Sequence, residues 1–141
     1  MEDDSTVAKP RFRLLYIEDN PANLRLMQQI FRLKSDFELV HASTAEMGLE
    51  LVSEQYMDAV LLDINLPGMD GYVALEQLCA KSKNPHSPVI AVTANAMDSD
   101  IVKGQQAGFY DYLAKPIDIK TLLKTVDTAL HRDQQVTEDQ A

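Results

Sequence analysis

Five short apolar runs, about 20–30 residues apart, constrain the fold of this chain more than any other feature. They span residues 14–17, 37–40, 59–62, 89–92 and 109–113. The first, third and fourth are continuously apolar, which is typical of parallel strands buried on both faces. Glu38 interrupts the second run, and this alternation favours an edge strand. The runs therefore predict a parallel sheet with both faces covered.

The stretches between these runs predict helices. Apolar residues recur in them at helical spacing, and four of the starts carry asparagine, threonine or aspartate, which cap helices. The predicted helices begin after Asn20-Pro21, Thr44, Asp70 and Asp118, with one more from about Met97 to Gln106. Because strand–helix–strand crossovers are right-handed, this series places helices on both faces of the sheet. The predicted fold class is α/β, with a doubly wound, five-stranded parallel sheet.

The length of 141 residues fits one domain. We predict that this domain covers residues 11–132. The polar segments 1–10 and 133–141 lack apolar periodicity and are predicted to be flexible tails.

Charge and cysteine content narrow the classes of function. The net formal charge is −9, and an acidic chain repels the phosphate backbone, so we predict no direct nucleic-acid binding. No apolar run reaches the ~18–20 residues of a membrane span, so no membrane insertion is predicted. The single cysteine, Cys79, cannot form an intrachain disulfide, and the start does not resemble a signal peptide, so we predict a cytoplasmic location. Cys79 is itself predicted to pack as a small apolar residue.

Polar or ionisable residues follow four of the apolar runs. Glu18 and Asp19 follow the first run, Asp63 the third, Thr93 the fourth and Lys115 the fifth. In doubly wound sheets, ligands bind at the carboxyl ends of the strands. Three carboxylates brought together there repel one another unless a cation offsets them. Oxygen ligands suit a hard divalent ion, and Mg²⁺ in particular where waters and a phosphate complete the coordination.

These residue types point to phosphoryl transfer. A lysine such as Lys115 can pair with a phosphoryl group, and the Thr93 hydroxyl can donate a hydrogen bond to it. An aspartate such as Asp63 can form an acyl phosphate without a general base. The nucleotide-binding patterns GxxxxGK[ST] and GxGxxG are absent. The chain is therefore predicted to be neither a kinase nor a dinucleotide enzyme, and the phosphoryl donor must come from elsewhere.

Two other functions stay open at this point. A Mg²⁺-dependent phosphohydrolase could use the same aspartate, although such enzymes usually carry a second acid two residues later, where this chain has Asn65. A scaffold that binds partners without being phosphorylated is the other alternative. The five acidic, hydroxyl and lysine residues at the strand ends argue against such a scaffold. The three histidines, His41, His86 and His131, are interpreted as bystanders.

Four separated motifs resemble the receiver domain of two-component response regulators, the chemotaxis-regulator-like family. They are YIEDN (16–20), LLDINLPGMDG (61–71), VTA (92–94) and DYLAKP (111–116), in the order of that family. Each motif alone is weak, and jointly they are specific. The resemblance runs from about Arg11 to Leu130 and implies the flavodoxin-like strand order 2-1-3-4-5.

The resemblance implies a role for each site position. Asp63 would accept the phosphoryl group, with Lys115 and Thr93 as its catalytic partners. Thr93 and Tyr112 would be the switch residues. The implied ligands of Mg²⁺, with Mn²⁺ as an alternative ion, are Glu18, Asp19, Asp63 and the backbone carbonyl of Asn65. The family also often has a cis bond at the position of Pro116.

The resemblance also implies partners. A histidine kinase or histidine phosphotransfer protein would donate the phosphoryl group, and the chain would catalyse only its own phosphorylation and dephosphorylation. A phosphorylation-dependent dimer is a further expectation. The partner surface would comprise the helix after Thr93, the last strand and the last helix. Only about ten polar residues follow Leu130, so the output is expected outside this segment. The segments 18–21 and 92–96 favour the receiver of a hybrid histidine kinase over a stand-alone regulator.

Overall fold

The computed structural model describes residues 12–66, 68–94 and 106–140. The strands are β1 (Phe12–Ile17), β2 (Phe37–Ala42), β3 (Ala59–Asp63), β4 (Val89–Thr93) and β5 (Asp111–Ala114). The helices of the described ranges are α1 (Pro21–Arg32), α2 (Ala45–Glu54), α3 (Gly71–Lys81) and α4 (Ile119–Gln140). All helices in these ranges are too short or too polar to cross a bilayer.

The five strands form one parallel sheet in the order β2-β1-β3-β4-β5. This confirms the predicted fold class and strand order. The edge position of β2 is also confirmed, and Glu38 on this strand keeps 48% of its side chain exposed. The chain reverses direction across the sheet at β1 and β3, so the crevice between the carboxyl ends of these strands is where a ligand would bind.

Side-chain caps fix where the helices begin. Asn20 caps α1 by accepting hydrogen bonds from the backbone N–H groups of Ala22 and Asn23 at 2.8 and 3.2 Å. Thr44 and Asp70 cap α2 and α3 in the same way. Such caps satisfy backbone donors that have no partner inside the helix. Each capped start ends the loop that leaves the carboxyl end of the preceding strand.

Alternate residues of each strand point to opposite faces of the sheet. Leu14 and Tyr16 of β1 face α1 and α4, where they join a core that includes Met27, Phe31 and Leu122. Leu15 and Ile17 face α2 and α3, where a second core includes Leu49, Leu75 and Leu78. The two cores hold the sheet from both sides, so the side chains at the strand ends project from a rigid support.

Phe109 and Cys79 differ from the sequence predictions. The fifth strand begins at Asp111 rather than at Phe109. Phe109 lies outside the strand, and its apolar character serves the packing of its ring against Tyr112. The prediction that Cys79 is packed is wrong, because its side chain is exposed. Cys79 follows Leu78, which faces the sheet, and one residue turns a helix by about 100°.

Three segments of the chain bear on the predicted domain limits. The helix predicted from about Met97 to Gln106 lies outside the described residues, apart from Gln106 itself. The predicted tail 1–10 also lies outside them. Helix α4 is described as far as Gln140, through most of the predicted tail 133–141. The domain limits stay a prediction.

Candidate functional site: an acidic cluster at the strand ends

Two buried carboxylates and a lysine meet at the carboxyl edge of the sheet. Glu18 directly follows β1, Asp63 ends β3, and Lys115 directly follows β5. Glu18 and Asp63 are almost fully buried, at 1% and 4% exposure. The backbone keeps its ladder bonds up to this point, because Glu18 N–H donates to Ala42 O and Lys115 N–H donates to Thr93 O. The sheet itself therefore positions these three side chains.

Lys115 joins the two acids. Its Nζ donates to Asp63 Oδ2 at 2.9 Å and lies 3.1 Å from Glu18 Oε1. The Lys115–Pro116 peptide bond is cis, which agrees with the family resemblance. One ammonium thus offsets two buried carboxylates, and the cluster of Glu18, Asp63 and Lys115 keeps an excess of negative charge.

The pKa values of the acids move in opposite directions. Burial and the neighbouring Glu18 carboxylate raise the pKa of Asp63, against the hydrogen bonds from Lys115 and from the Asn65 backbone. Burial also opposes ionisation of Glu18, but hydrogen bonding with Asp63, Tyr16 and Lys115 lowers its pKa from 4.5 to about 2. Burial opposes the charge on Lys115 too, but its two acidic partners outweigh burial and raise its pKa. Glu18 is therefore the firmly ionised carboxylate, and Asp63 is the more easily protonated one.

A third carboxylate completes a group of oxygen ligands. Asp19, which is exposed, offers an oxygen that lies with those of Glu18 and Asp63 in a group whose atoms are all within 4.8 Å of one another. Three carboxylates against one lysine form a hard, anionic donor set, which fits a divalent cation such as Mg²⁺. The predicted ligand role of the Asn65 backbone carbonyl stays a prediction.

The loop after Asp63 holds that carboxylate in place. The Asn65 N–H donates to Asp63 Oδ1 at 2.9 Å, so both Asp63 oxygens have a partner. Gly68 has φ +96°, a conformation that favours glycine. Gly71, at the start of α3, packs so closely on Ile64 that an added Cβ would lie 2.7 Å from the Ile64 Cβ. Both glycines thus shape this loop.

Thr93 lies at the end of β4 and is almost fully buried. Its hydroxyl donates to the side-chain oxygen Oδ1 of Asn65 at 3.3 Å, and the Ala94 N–H donates to the same oxygen at 3.3 Å. The Asn65 side chain therefore links the end of β4 to the loop that carries Asp63. This link was not predicted.

Tyr112 lies inside the core of the α2 and α3 face, with 9% of its surface exposed. Its ring packs edge-to-face on Phe109, which packs in the same way on Tyr72. It pairs with Ala91 of β4, two residues before Thr93, so Tyr112 and Thr93 lie on the same face of adjacent strands. The structure therefore places the two predicted switch residues on one face of neighbouring strands.

The chain matches a known family. The family model for the response regulator receiver domain matches residues 14–127. The chain is a response regulator receiver domain. Protein PilH of Pseudomonas aeruginosa is 34% identical over 118 residues, which cover 84% of this chain and 97% of PilH. Sensor protein GacS of Pseudomonas syringae is 37% identical over 117 residues, which cover 81% of this chain and 13% of GacS.

A solved structure supports the same assignment. The receiver domain of sensor histidine kinase PA1611 from Pseudomonas aeruginosa PAO1 is 31% identical, with a TM-score of 0.76, and the match covers 85% of this chain and 98% of that one. That structure has a magnesium ion coordinated in its active-site cleft. The present chain is thus a receiver domain of two-component signalling, a class associated with histidine kinases.

Glu18 also contacts residues to which the sequence predictions gave no role. Tyr16 and Asn23 both donate to Glu18 Oε1, at 2.9 and 3.1 Å. His41, interpreted as a bystander, places Nε2 2.8 Å from the backbone oxygen of Glu18. Of these three residues, only Tyr16 could have been predicted from the sequence. It carries a hydroxyl inside an apolar strand, two residues before Glu18 and hence on the same face.

Proposed function

We propose that this receiver domain accepts a phosphoryl group on Asp63 from a phosphorylated histidine, in a Mg²⁺-dependent reaction, and that the acyl phosphate then changes its conformation. The observation that carries the proposal is the arrangement around Asp63. Its buried carboxylate is paired with Lys115 at 2.9 Å and lies beside two further acids that can hold a divalent ion.

The chemistry follows from the Asp63 carboxylate and its surroundings. An Asp63 oxygen attacks phosphorus, a new O–P bond forms, and the N–P bond of the donor histidine breaks, with its electron pair kept by the histidine nitrogen. Lys115 shifts from carboxylate to phosphoryl oxygen and neutralises charge there. Mg²⁺, held by Glu18, Asp19 and Asp63 with the Asn65 carbonyl, would supply further charge neutralisation.

Thr93 and Tyr112, on the face of the sheet that α2 and α3 cover, would act as the switch residues. The Thr93 hydroxyl would leave Asn65 and donate to a phosphoryl oxygen. Because Tyr112 packs beside the same part of β4, its inward position would be favoured in the phosphorylated state. A phosphoryl group shifts such an equilibrium only if it interacts better with one state than with the other.

Partners follow from the family. We propose a histidine kinase or a histidine phosphotransfer protein as donor, a cytoplasmic location in which such donors are formed, and phosphorylation-dependent self-association as an additional outcome. The chain would catalyse only its own phosphorylation and dephosphorylation. The resemblance to GacS and PA1611 supports a histidine kinase as the donor.

The test is phosphorylation by a small-molecule donor. The protein is incubated with Mg²⁺ and acetyl phosphate, and intact mass spectrometry is expected to show one base-labile phosphoryl adduct. Asp63→Asn should abolish the adduct, whereas Asp127→Asn, on the exposed surface of α4, should leave it intact. An adduct that persists in Asp63→Asn, or that forms equally without Mg²⁺, would refute the proposal. Steady turnover of p-nitrophenyl phosphate would instead support a phosphohydrolase.

A further inference from the structure

We infer that Tyr16 is a positioning residue for the metal site, which fixes the Glu18 carboxylate so that one of its oxygens stays available to a divalent cation. The inference rests on the proposed Mg²⁺ role of Glu18 and extends it to a residue outside the ligand set. The Tyr16 hydroxyl donates to Glu18 Oε1 at 2.9 Å.

The two oxygens of Glu18 have different surroundings. Oε1 receives the Tyr16 hydroxyl, the Asn23 amide at 3.1 Å and the Lys115 ammonium at 3.1 Å. Among the described residues, Oε2 receives one longer bond, 3.3 Å, from the Asn20 N–H. The Asp63 carboxyl also hydrogen-bonds to Glu18, but this bond needs a proton on one of the two groups and is absent when both are ionised. A carboxylate has about four lone-pair positions. Oε1 is therefore saturated, and Oε2 is the oxygen with capacity left for a cation or a metal-bound water.

Tyr16 is the most rigid of the three donors. It is fully buried, and β1 is bonded to β2 on one side and to β3 on the other. Asn23 is half-buried, and 21% of the Lys115 side chain is exposed. A buried tyrosine has two side-chain torsions and its ring is fixed by packing, so its hydroxyl is the fixed point of this network.

The reaction increases the need for a fixed donor that is already present in the unphosphorylated protein. When Lys115 moves to a phosphoryl oxygen, Glu18 Oε1 loses one of its three donors. Without Tyr16, the carboxylate could then rotate and offer Oε1 in place of Oε2. Partners that hydrogen-bond to a metal-binding carboxylate fix its orientation, and their removal typically weakens metal binding ~10–100-fold.

The experiment measures Mg²⁺ binding directly. Isothermal titration calorimetry of the unphosphorylated protein is expected to show roughly tenfold weaker Mg²⁺ binding in Tyr16→Phe. The Mg²⁺ concentration for half-maximal phosphorylation by acetyl phosphate should rise by the same factor, while the rate at saturating Mg²⁺ stays close to that of the wild type. A higher half-maximal Mg²⁺ concentration with an unchanged maximal rate indicates a misplaced metal ligand, whereas general damage to the fold would also lower the maximal rate.

Two controls address packing and tyrosine chemistry. Leu14→Val trims the same face of the same buried strand without touching Glu18, and should lower stability while leaving Mg²⁺ affinity unchanged. Tyr56→Phe alters a tyrosine that lies before the amino end of β3, away from the carboxyl ends that carry the site. This variant should also leave Mg²⁺ affinity unchanged.

Three results would overturn the inference: wild-type Mg²⁺ affinity in Tyr16→Phe, an equal loss of affinity in Leu14→Val, or no Mg²⁺ binding by the wild type. The proposed function is tested separately by the Asp63 adduct. Weaker Mg²⁺ binding in Tyr16→Phe, together with no adduct in the wild type, would uphold the positioning role and refute the phosphorylation.

Discussion

Lys115 reaches across an intervening strand to pair with Asp63: its ammonium lies 2.9 Å from Asp63 Oδ2, although β4 separates β5 from β3 in the sheet. The same ammonium lies 3.1 Å from Glu18 at the end of β1. A single cation thus links residues that are 97 positions apart at most, counted from 18 to 115. The pairing makes the charge balance of the site depend on one side chain, and the first prediction follows from it.

Lys115→Met should destabilise the protein in Mg²⁺-free buffer at neutral pH. Without the ammonium, two buried carboxylates lose their shared partner, and this should lower the free energy of unfolding by about 2 kcal/mol. Added Mg²⁺ should recover much of the loss. Urea unfolding with and without Mg²⁺ measures both effects, with Lys124→Met, an exposed lysine of α4, as control. Equal losses in the two variants would contradict the prediction.

Acid should reveal the contribution of Glu18. Its pKa is lowered from 4.5 to about 2, so its ionised form stabilises the folded state above pH 4.5, and this contribution is lost as the pH falls towards 2. The full effect is on the order of 3 kcal/mol. The raised pKa of Asp63 acts with the opposite sign. To separate the two contributions, the unfolding free energies of the wild type and Glu18→Gln are compared as the pH falls from 4.5 towards 2. Parallel curves would show that Glu18 does not contribute in this way.

Mg²⁺ should stabilise the folded chain through Asp19 as well as through the buried acids. At about 100 times its dissociation constant, a ligand that binds only the folded state adds about 2.7 kcal/mol. Asp19→Asn should reduce this gain, because it removes one carboxylate of the cluster. Thermal unfolding at increasing Mg²⁺ concentration measures the gain. Asp36→Asn, an exposed loop residue, should retain the wild-type response, and the same response in Asp19→Asn would exclude Asp19 as a ligand.

Gly71→Ala should disturb the loop that follows Asp63. The added Cβ would lie 2.7 Å from Ile64 Cβ and 3.1 Å from Ile64 Cα, so Ile64 must shift. Such overpacking typically costs about 1–3 kcal/mol, more than the ~0.5–1 kcal/mol that alanine gains over glycine in a helix. Lower stability and slower phosphorylation are both expected. Gly68→Ala is the comparison: it meets no atom within 4 Å there and should cost only backbone strain. A Gly71→Ala variant as stable as the wild type would contradict this packing argument.

Much of the fold could be predicted because short-range patterns specify it. The apolar runs give the strands, and caps such as Asn20 and Asp70 mark helix starts. The meeting of the polar residues at the strand ends follows from a similar rule, since parallel strands bring their carboxyl ends to one edge. Phe109 shows where this fails: an apolar residue beside a strand can belong to an aromatic cluster outside the strand, and periodicity alone does not distinguish the two.

By itself, the sequence determined the α/β class, the edge of the sheet that carries the polar residues, and which residue types meet there. Periodicity and capping act between near neighbours, so they can be read from the chain directly. Only the tertiary structure decided which atoms pair: that Lys115 bridges Glu18 and Asp63, that the Asn65 amide accepts from Thr93, and that a buried tyrosine orients Glu18. These contacts depend on ångström-scale distances between distant segments and on burial, which turns weak polar contacts into strong ones.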